Sequence, residues 1–457
     1  MLFGRRAGEG FSWLSIIRLG LVQASLGSIV VLTTSTLNRV MVVELSLAAI
    51  VPGFLVGLHY AIQLSRPLFG HGSDVSRAGR SLWIIGGMAL LAVAGTAAAA
   101  TTHVFEDSIT LGLALASIAY VFIGLGIGAS GTSLLALLAS RTAPARRPAA
   151  ATIVWIMMIA GIVVTAATTG SLLDPYSHAR LVTITATTGA IAVLVTIIAL
   201  AGLEHVAEIG GGTKADDTPS SFRARLAETW ADREARLFTV FIFLSMLAYA
   251  TQDLIMEPFA GLIFGFTPGQ STQLSGTQHA GILIGMVLVG IAGTLPFGRS
   301  PRVLKAFTLV GCGGSALALA ALSFGAFAPG WPLSANVATL GFFNGMFTIA
   351  AIGAMMSLAG KSRADGKGAR EGIRMGVWGA AQAIAFGLGG FSGTVAVDAM
   401  RAVTGDTALS FASVFAFEGV LFLLSALIAL KITMPGAETE VRAQTTQGLQ
   451  GGLQPAE

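Results

Sequence analysis

The stretch "RLGLVQASLGSIVVLTTSTLNRVMVVEL", Arg18–Leu45, decides what kind of solvent this chain folds in. Between Leu14 and Leu37 the only charge is Arg18. Such a run is long enough to cross a hydrocarbon core, which takes about 20 mostly apolar residues. Asn38, Arg39 and Glu44 then arrive where the run reads as ending. No small-residue cleavage pattern followed by a soluble body is present, so the run reads as a retained first span and not a signal peptide. The pattern predicts a span over 15–37, with Arg39 and Glu44 framing the first connection as solvated or paired boundary groups.

The rest of the chain repeats this chemistry. Of 457 residues, 54% are hydrophobic and only 11% charged, against about 25% charged in an ordinary soluble domain. A soluble protein of this length would lack charge to cover its surface, so lipid is the expected solvent. The 58 glycines agree with that, since glycine is commoner in membrane helices than in soluble ones. Twelve segments qualify as spans: 15–37, 45–65, 81–102, 110–139, 148–171, 180–203, 237–262, 273–297, 303–326, 332–359, 373–396 and 409–431. The expected fold class is an all-α integral membrane protein.

Charge fixes the expected orientation. All 27 basic residues except Arg39, Arg180 and Arg401 fall on the side that holds both termini. Lys and Arg are retained on the cytoplasmic face, so both termini are expected there. This asymmetry explains the net charge of +4 without nucleic acid, and the basic loops suit anionic lipid headgroups.

The polar segment Glu204–Arg236 divides the chain. The expected organisation is a six-helix bundle over 1–203, a cytoplasmic linker over 204–236, a second six-helix bundle over 237–431 and a polar tail over 432–457. Within the linker, Phe222, Leu226 and Trp230 share one face of a short amphipathic pattern. The halves show a repeat. "GLGIG" at Gly124–Gly128 matches "GFFNG" at Gly341–Gly345 at an offset of 217, and Arg147 and Trp155 match Arg370 and Trp378 at 223. An extension of the second basic loop absorbs the difference. Glycines four apart let helix backbones meet. The loop "GHGSDVSRAGRS", Gly70–Ser81, carries Gly70, Asp74, Arg77, Gly79 and Arg80. This set resembles the loop of major facilitator transporters with altered spacing, and there Asp74 can cap a helix or pair with an Arg.

Polar groups inside spans are costly and are functional candidates by default. His59, Gln63 and Arg66 fall on roughly one helical face of "GLHYAIQLSRP", with Tyr60 beside them. Span seven holds Gln252, with Asp253 and Glu257 one turn apart near the far rim. Gln278, His279, Asn344, Gln382 and Glu418 complete the set. Arg39, Arg66, Asp74, Arg77, Arg80, Asp253 and Glu257 are candidates for contacts between the halves or for gating. His59 could ligate the magnesium of a chlorophyll-type pigment, with Tyr60, Gln63 or Asn344 as polar neighbours; a histidine hydrogen-bonded inside the bundle is the plainer alternative. The single cysteine, Cys312, permits neither an internal disulfide nor a multi-cysteine metal site. HExxH and Walker motifs are absent from the sequence, as is an acidic cluster for magnesium and diphosphate within the spans. The protein is therefore expected not to be an enzyme.

Three strings carry a specific resemblance: Arg18–Leu45, "PGFLVGLHYAIQLSRPLFGHGSD" at Pro52–Asp74 and "WIIGGMAL" at Trp83–Leu90. They resemble the PucC/LhaA family of purple phototrophic bacteria, a branch of the major facilitator fold linked to assembly of light-harvesting complexes and to bacteriochlorophyll delivery. "LTTSTLNR", with His59-Tyr60 and Arg66-Pro67 downstream, is more similar to the light-harvesting 1 branch. The resemblance implies an assembly factor for the core antenna, with bacteriochlorophyll as the bound or delivered pigment. It implies light-harvesting 1 polypeptides, reaction-centre assembly intermediates, pigment-synthesis enzymes and membrane lipids as partners. The location it implies is the bacterial inner, intracytoplasmic photosynthetic membrane. Light-harvesting 2 assembly and proton-coupled transport of a small solute are the alternatives.

Overall fold

The computed structural model describes residues 10–66, 69, 79–143, 146–203, 230–294, 301–364 and 369–432. Within them the chain is helical. α1 runs over Trp13–Glu44, α2 over Ile50–Ile62 with a 3-10 turn at Gln63–Ser65, α3 over Gly79–Asp107 and α4 over Ile109–Arg141. α5 covers Arg147–Leu172, α6 His178–Leu200, α7 Arg233–Phe264 and α8 Pro268–Thr294. α9 covers Pro301–Gly325, α10 Leu333–Ala364, α11 Ala369–Thr404 and α12 Thr407–Lys431. Ten of these helices are long and apolar enough to cross a membrane by length and composition.

The helices begin where side chains can satisfy free backbone donors. Ser12, Ser108, Ser177, Asp232 and Asp406 each stand just before a helix and accept from amides of its first turn. α7 ends on Gly265 at φ 68°, a left-handed cap that glycine adopts without strain.

The opening stretch folds differently from its expected boundary. α1 does not stop at Leu37 but continues to Glu44, through π-helical turns at Leu32–Thr36 and Val40–Glu44. The polar groups that suggested an end are buried instead: Asn38 is 0% and Arg39 2% exposed. α2 consequently starts at Ile50 and not near 45. α11 is also longer than the expected 373–396. Asp74 and Arg77, linker positions 204–229 and tail positions 433–457 lie outside the described residues.

Packing repeats with a period of six helices. α1 packs on α5, α2 on α4, and α3 on both α4 and α6; α7 packs on α11, α8 on α10, and α9 on both α10 and α12. One buried cluster draws on Phe11 through Leu203 together with Leu254, and a second on Phe238 through Ile432. A third, including Leu32, Ile162, Ile282, Met286 and Met346, joins the first six helices to the last six. The α5–α8 and α2–α11 contacts complete that junction. Large apolar side chains such as Leu317, Val93 and Phe324 point outward, as expected where lipid replaces water.

Candidate functional site

α1 carries its polar groups straight into the last six helices. Asn38 Nδ2 donates to the Leu254 carbonyl at 2.5 Å. Arg39 pairs with Glu44 and also donates to the Phe266 carbonyl at 2.6 Å. The hydroxyls of Thr36 and Thr272 lie 3.3 Å apart, and those of Ser35 and Ser275 3.4 Å apart. On the same face Thr267 Oγ1 and the Gly269 amide donate to the two oxygens of Asp174, at 2.5 and 3.1 Å. The Ile50 amide donates to Asp398 Oδ2 at 2.7 Å. Together these bonds form a clasp between the two sets of six, on the face away from Arg141.

A second group sits between α2, α7, α11 and α12. The His59 and Tyr60 rings are 4.1 Å apart, Tyr60 lies 6.1 Å from Phe386, and Tyr249 lies 5.7 Å from the same ring. Arg66 donates to Gln63 Oε1. Asp253 is half-buried near Tyr60, Tyr249 and Glu418. Glu418 is fully buried and its carboxylate oxygens have no hydrogen-bond partner among the described residues. Tyr249 and Phe386 were not expected at this site. As aromatic residues in apolar spans they carry no sequence signal, and only helix packing brings them to Tyr60.

Several candidates lie elsewhere. Asn344 is not a neighbour of His59: on α10 it accepts from Ser315 Oγ of α9 at 2.8 Å. Glu257 does not reach water at a rim. It is 1% exposed, beside Ser35 and Ser275 of the clasp. Arg80 donates to Ser140 at 2.6 Å, which ties α3 to α4. His279 bonds the Ser275 carbonyl of its own helix at 2.9 Å, and Gln278 is buried.

His59 fits a pigment magnesium by donor chemistry and fails by space. Its Nδ1 lies 2.7 Å from the Val56 carbonyl. That contact assigns the proton to Nδ1 and leaves Nε2 with its lone pair, the form an axial ligand needs. The side chain is nevertheless only 1% exposed. Its backbone is pressed against α4 so tightly that a Cβ on Gly124 would meet the His59 carbonyl at 2.7 Å. A macrocycle has no slot there in this arrangement, so the expected role of His59 as axial ligand is set aside.

Comparison with known proteins follows the same lines. The PUCC protein family matches residues 36–437. The chain belongs to the PUCC family. Among its relatives, "Bacteriochlorophyll synthase 44.5 kDa chain" of Rhodobacter capsulatus is 50% identical over 417 residues, covering 91% of this chain and 95% of the relative. "Protein PucC" of Rhodovulum sulfidophilum is 26% identical over 413 residues, covering 87% and 88%. The crystal structure of a D-xylose-proton symporter superposes with a TM-score of 0.68 at 14% identity, over 92% of this chain and 98% of the symporter. A bacterial homologue of the human drug peptide transporters PepT1 and PepT2 gives 0.65 at 16% identity, over 92% and 97%. These likenesses establish that this PUCC family member is a multi-pass membrane protein with the major facilitator fold.

Proposed function

We propose that this PUCC family protein is an assembly factor for the light-harvesting 1 core antenna, and that it holds bacteriochlorophyll for incoming antenna polypeptides. It works in the inner, intracytoplasmic photosynthetic membrane with both termini cytoplasmic, and it is not itself an enzyme. The carrying observation is the family match over 36–437. The pigment-related name of the 50% identical relative supports the bacteriochlorophyll part of the reading. Antenna polypeptides would meet the outward apolar faces of the helices, where close packing replaces the hydrophobic drive that lipid removes. A groove of about 470 Å³ between α3 and α4 offers such a face, lined by Leu90, Val93, Leu115, Ile118 and Phe122.

Native purification after gentle membrane extraction tests this reading, with bound polypeptides and pigments identified together. Core-antenna polypeptides and bacteriochlorophyll are expected in the same fraction. Exclusive recovery of peripheral-antenna polypeptides would overturn the light-harvesting 1 assignment. Recovery of the folded protein without antenna or pigment would overturn the reading as a whole.

The name of that same relative favours a second reading, in which the protein is the membrane partner of a pigment-synthesising enzyme. The purification separates the two. Enrichment of synthesis enzymes in place of antenna polypeptides would support the partner role.

A further inference from the structure

His103 and Glu106 stand three residues apart on the last turn of α3, and His178 is the first residue of α6. Packing of α3 against α6 brings them together although they are far apart in sequence. His178 Nε2 lies 2.9 Å from Glu106 Oε1, and His103 Nδ1 lies 3.3 Å from Glu106 Oε2. The three donor atoms fall within 4.8 Å of one another.

Two hydroxyls flank the Nδ1 side of the His178 ring. Thr102 is fully buried, and its hydroxyl donates to the Ala99 carbonyl at 2.7 Å. The Thr102 oxygen also lies 2.9 Å from His178 Nδ1. The Tyr176 hydroxyl is 3.1 Å from the same nitrogen. With these two hydroxyls on Nδ1, Nε2 is the ring nitrogen that faces Glu106.

We infer that His103, Glu106 and His178 form a binding site for a divalent transition metal, zinc first among them. Two imidazoles and a carboxylate are a donor set that zinc takes, with a fourth position left for water or a partner's ligand. A buried hydroxyl and a phenol on the non-ligating nitrogen provide the outer contacts that orient metal-bound histidines. Glu106 and His103 are open to solvent, with side chains 49% and 70% exposed, so an ion can arrive from outside. The bound ion would bolt the end of α3 to the start of α6.

The test uses the full-length protein in detergent, purified without a polyhistidine tag and stripped with a chelator. Zinc binding is measured by competition with a chromogenic chelator, and cobalt serves as a spectroscopic stand-in. The wild-type chain is expected to bind one zinc and to give the visible bands of low-coordinate cobalt. Glu106→Gln and His103→Ala should each weaken zinc binding by at least about tenfold, and Tyr176→Phe by less. His103 is so exposed that its replacement leaves the fold intact, which keeps the test valid should Glu106→Gln fold poorly. Absence of zinc binding in the folded wild type would overturn the inference and leave the two histidine–carboxylate contacts as structural hydrogen bonds. Wild-type zinc affinity retained in both His103→Ala and Glu106→Gln would overturn it as well.

Discussion

At the scale of single residues, Arg39 shows how a membrane interior accommodates a full charge. The guanidinium is enclosed, while the side chain of its partner Glu44 keeps 33% exposure. The two are therefore not equivalent under substitution. Removing Arg39 leaves a carboxylate that water can reach, whereas removing Glu44 leaves a buried cation without its counter-charge. Glu44→Ala should cost about 2 kcal/mol, reduced from the about 3–5 kcal/mol of a fully buried pair because Glu44 is a third exposed. Arg39→Met should cost about 1 kcal/mol, chiefly the lost bond to the Phe266 carbonyl. Thermal unfolding in detergent ranks the two variants, and the opposite order would disprove the asymmetry. His59 carries a different prediction. Because its ring has no room for a macrocycle, His59→Ala should leave bacteriochlorophyll occupancy unchanged in natively purified protein. Loss of pigment with an intact fold would restore His59 as the ligand.

The same residues mark how far the sequence can be read. Asn38, Arg39 and Glu44 could be recognised as out of place in an apolar run. Their partners at Leu254 and Phe266 are backbone carbonyls, which every residue type possesses, so no pattern in the chain points to them. That is why α1 looked finished at Leu37. Asn344 shows the same limit: its polarity was visible, but Ser315 as its partner was not. The cytoplasmic-loop motif at Asp74 and Arg77 was legible as a pattern, and it lies outside the described residues.

At the scale of helices, glycine spacing was legible and its meaning is now specific. Gly281 and Gly285 on α8 interleave with Gly341 and Gly345 on α10. A Cβ on Gly345 would meet the Ile282 carbonyl at 2.0 Å, and one on Gly285 would meet the Phe342 carbonyl at 2.1 Å. In both cases the obstacle is backbone, which cannot rotate aside. Gly124 of α4 has the corresponding place against α2, where a Cβ would meet the His59 carbonyl. The repeat seen in the sequence therefore marks the α2–α4 and α8–α10 seams. Gly345→Ala should force the seam apart and cost about 1–3 kcal/mol. Gly313 faces open space, so Gly313→Ala should be neutral or stabilise by up to about 1 kcal/mol. The difference in unfolding temperature between these variants measures the seam directly. Equal temperatures would show that the helices can slide without loss.

At the scale of the whole molecule, the fold is shared with a D-xylose-proton symporter while the family points to assembly of photosynthetic complexes. The clasp separates these roles. A transporter of this fold must open each face in turn, rocking one bundle against the other around a central site. An assembly platform that receives helices on its outer surface has no such requirement. Asp174 and Thr267 meet across the clasp at 2.5 Å and both are exposed, so cysteines at these positions can be joined by a short thiol cross-linker. The native Cys312 is buried and offers no competing site to a reagent arriving from water. With the clasp locked, the Asp174→Cys, Thr267→Cys protein should still co-purify with antenna polypeptides and bacteriochlorophyll in the amounts found for each single-cysteine variant. If the cross-link abolished that association and its cleavage restored it, opening of this face would be part of the work. The case for docking on a static outer surface would then fall.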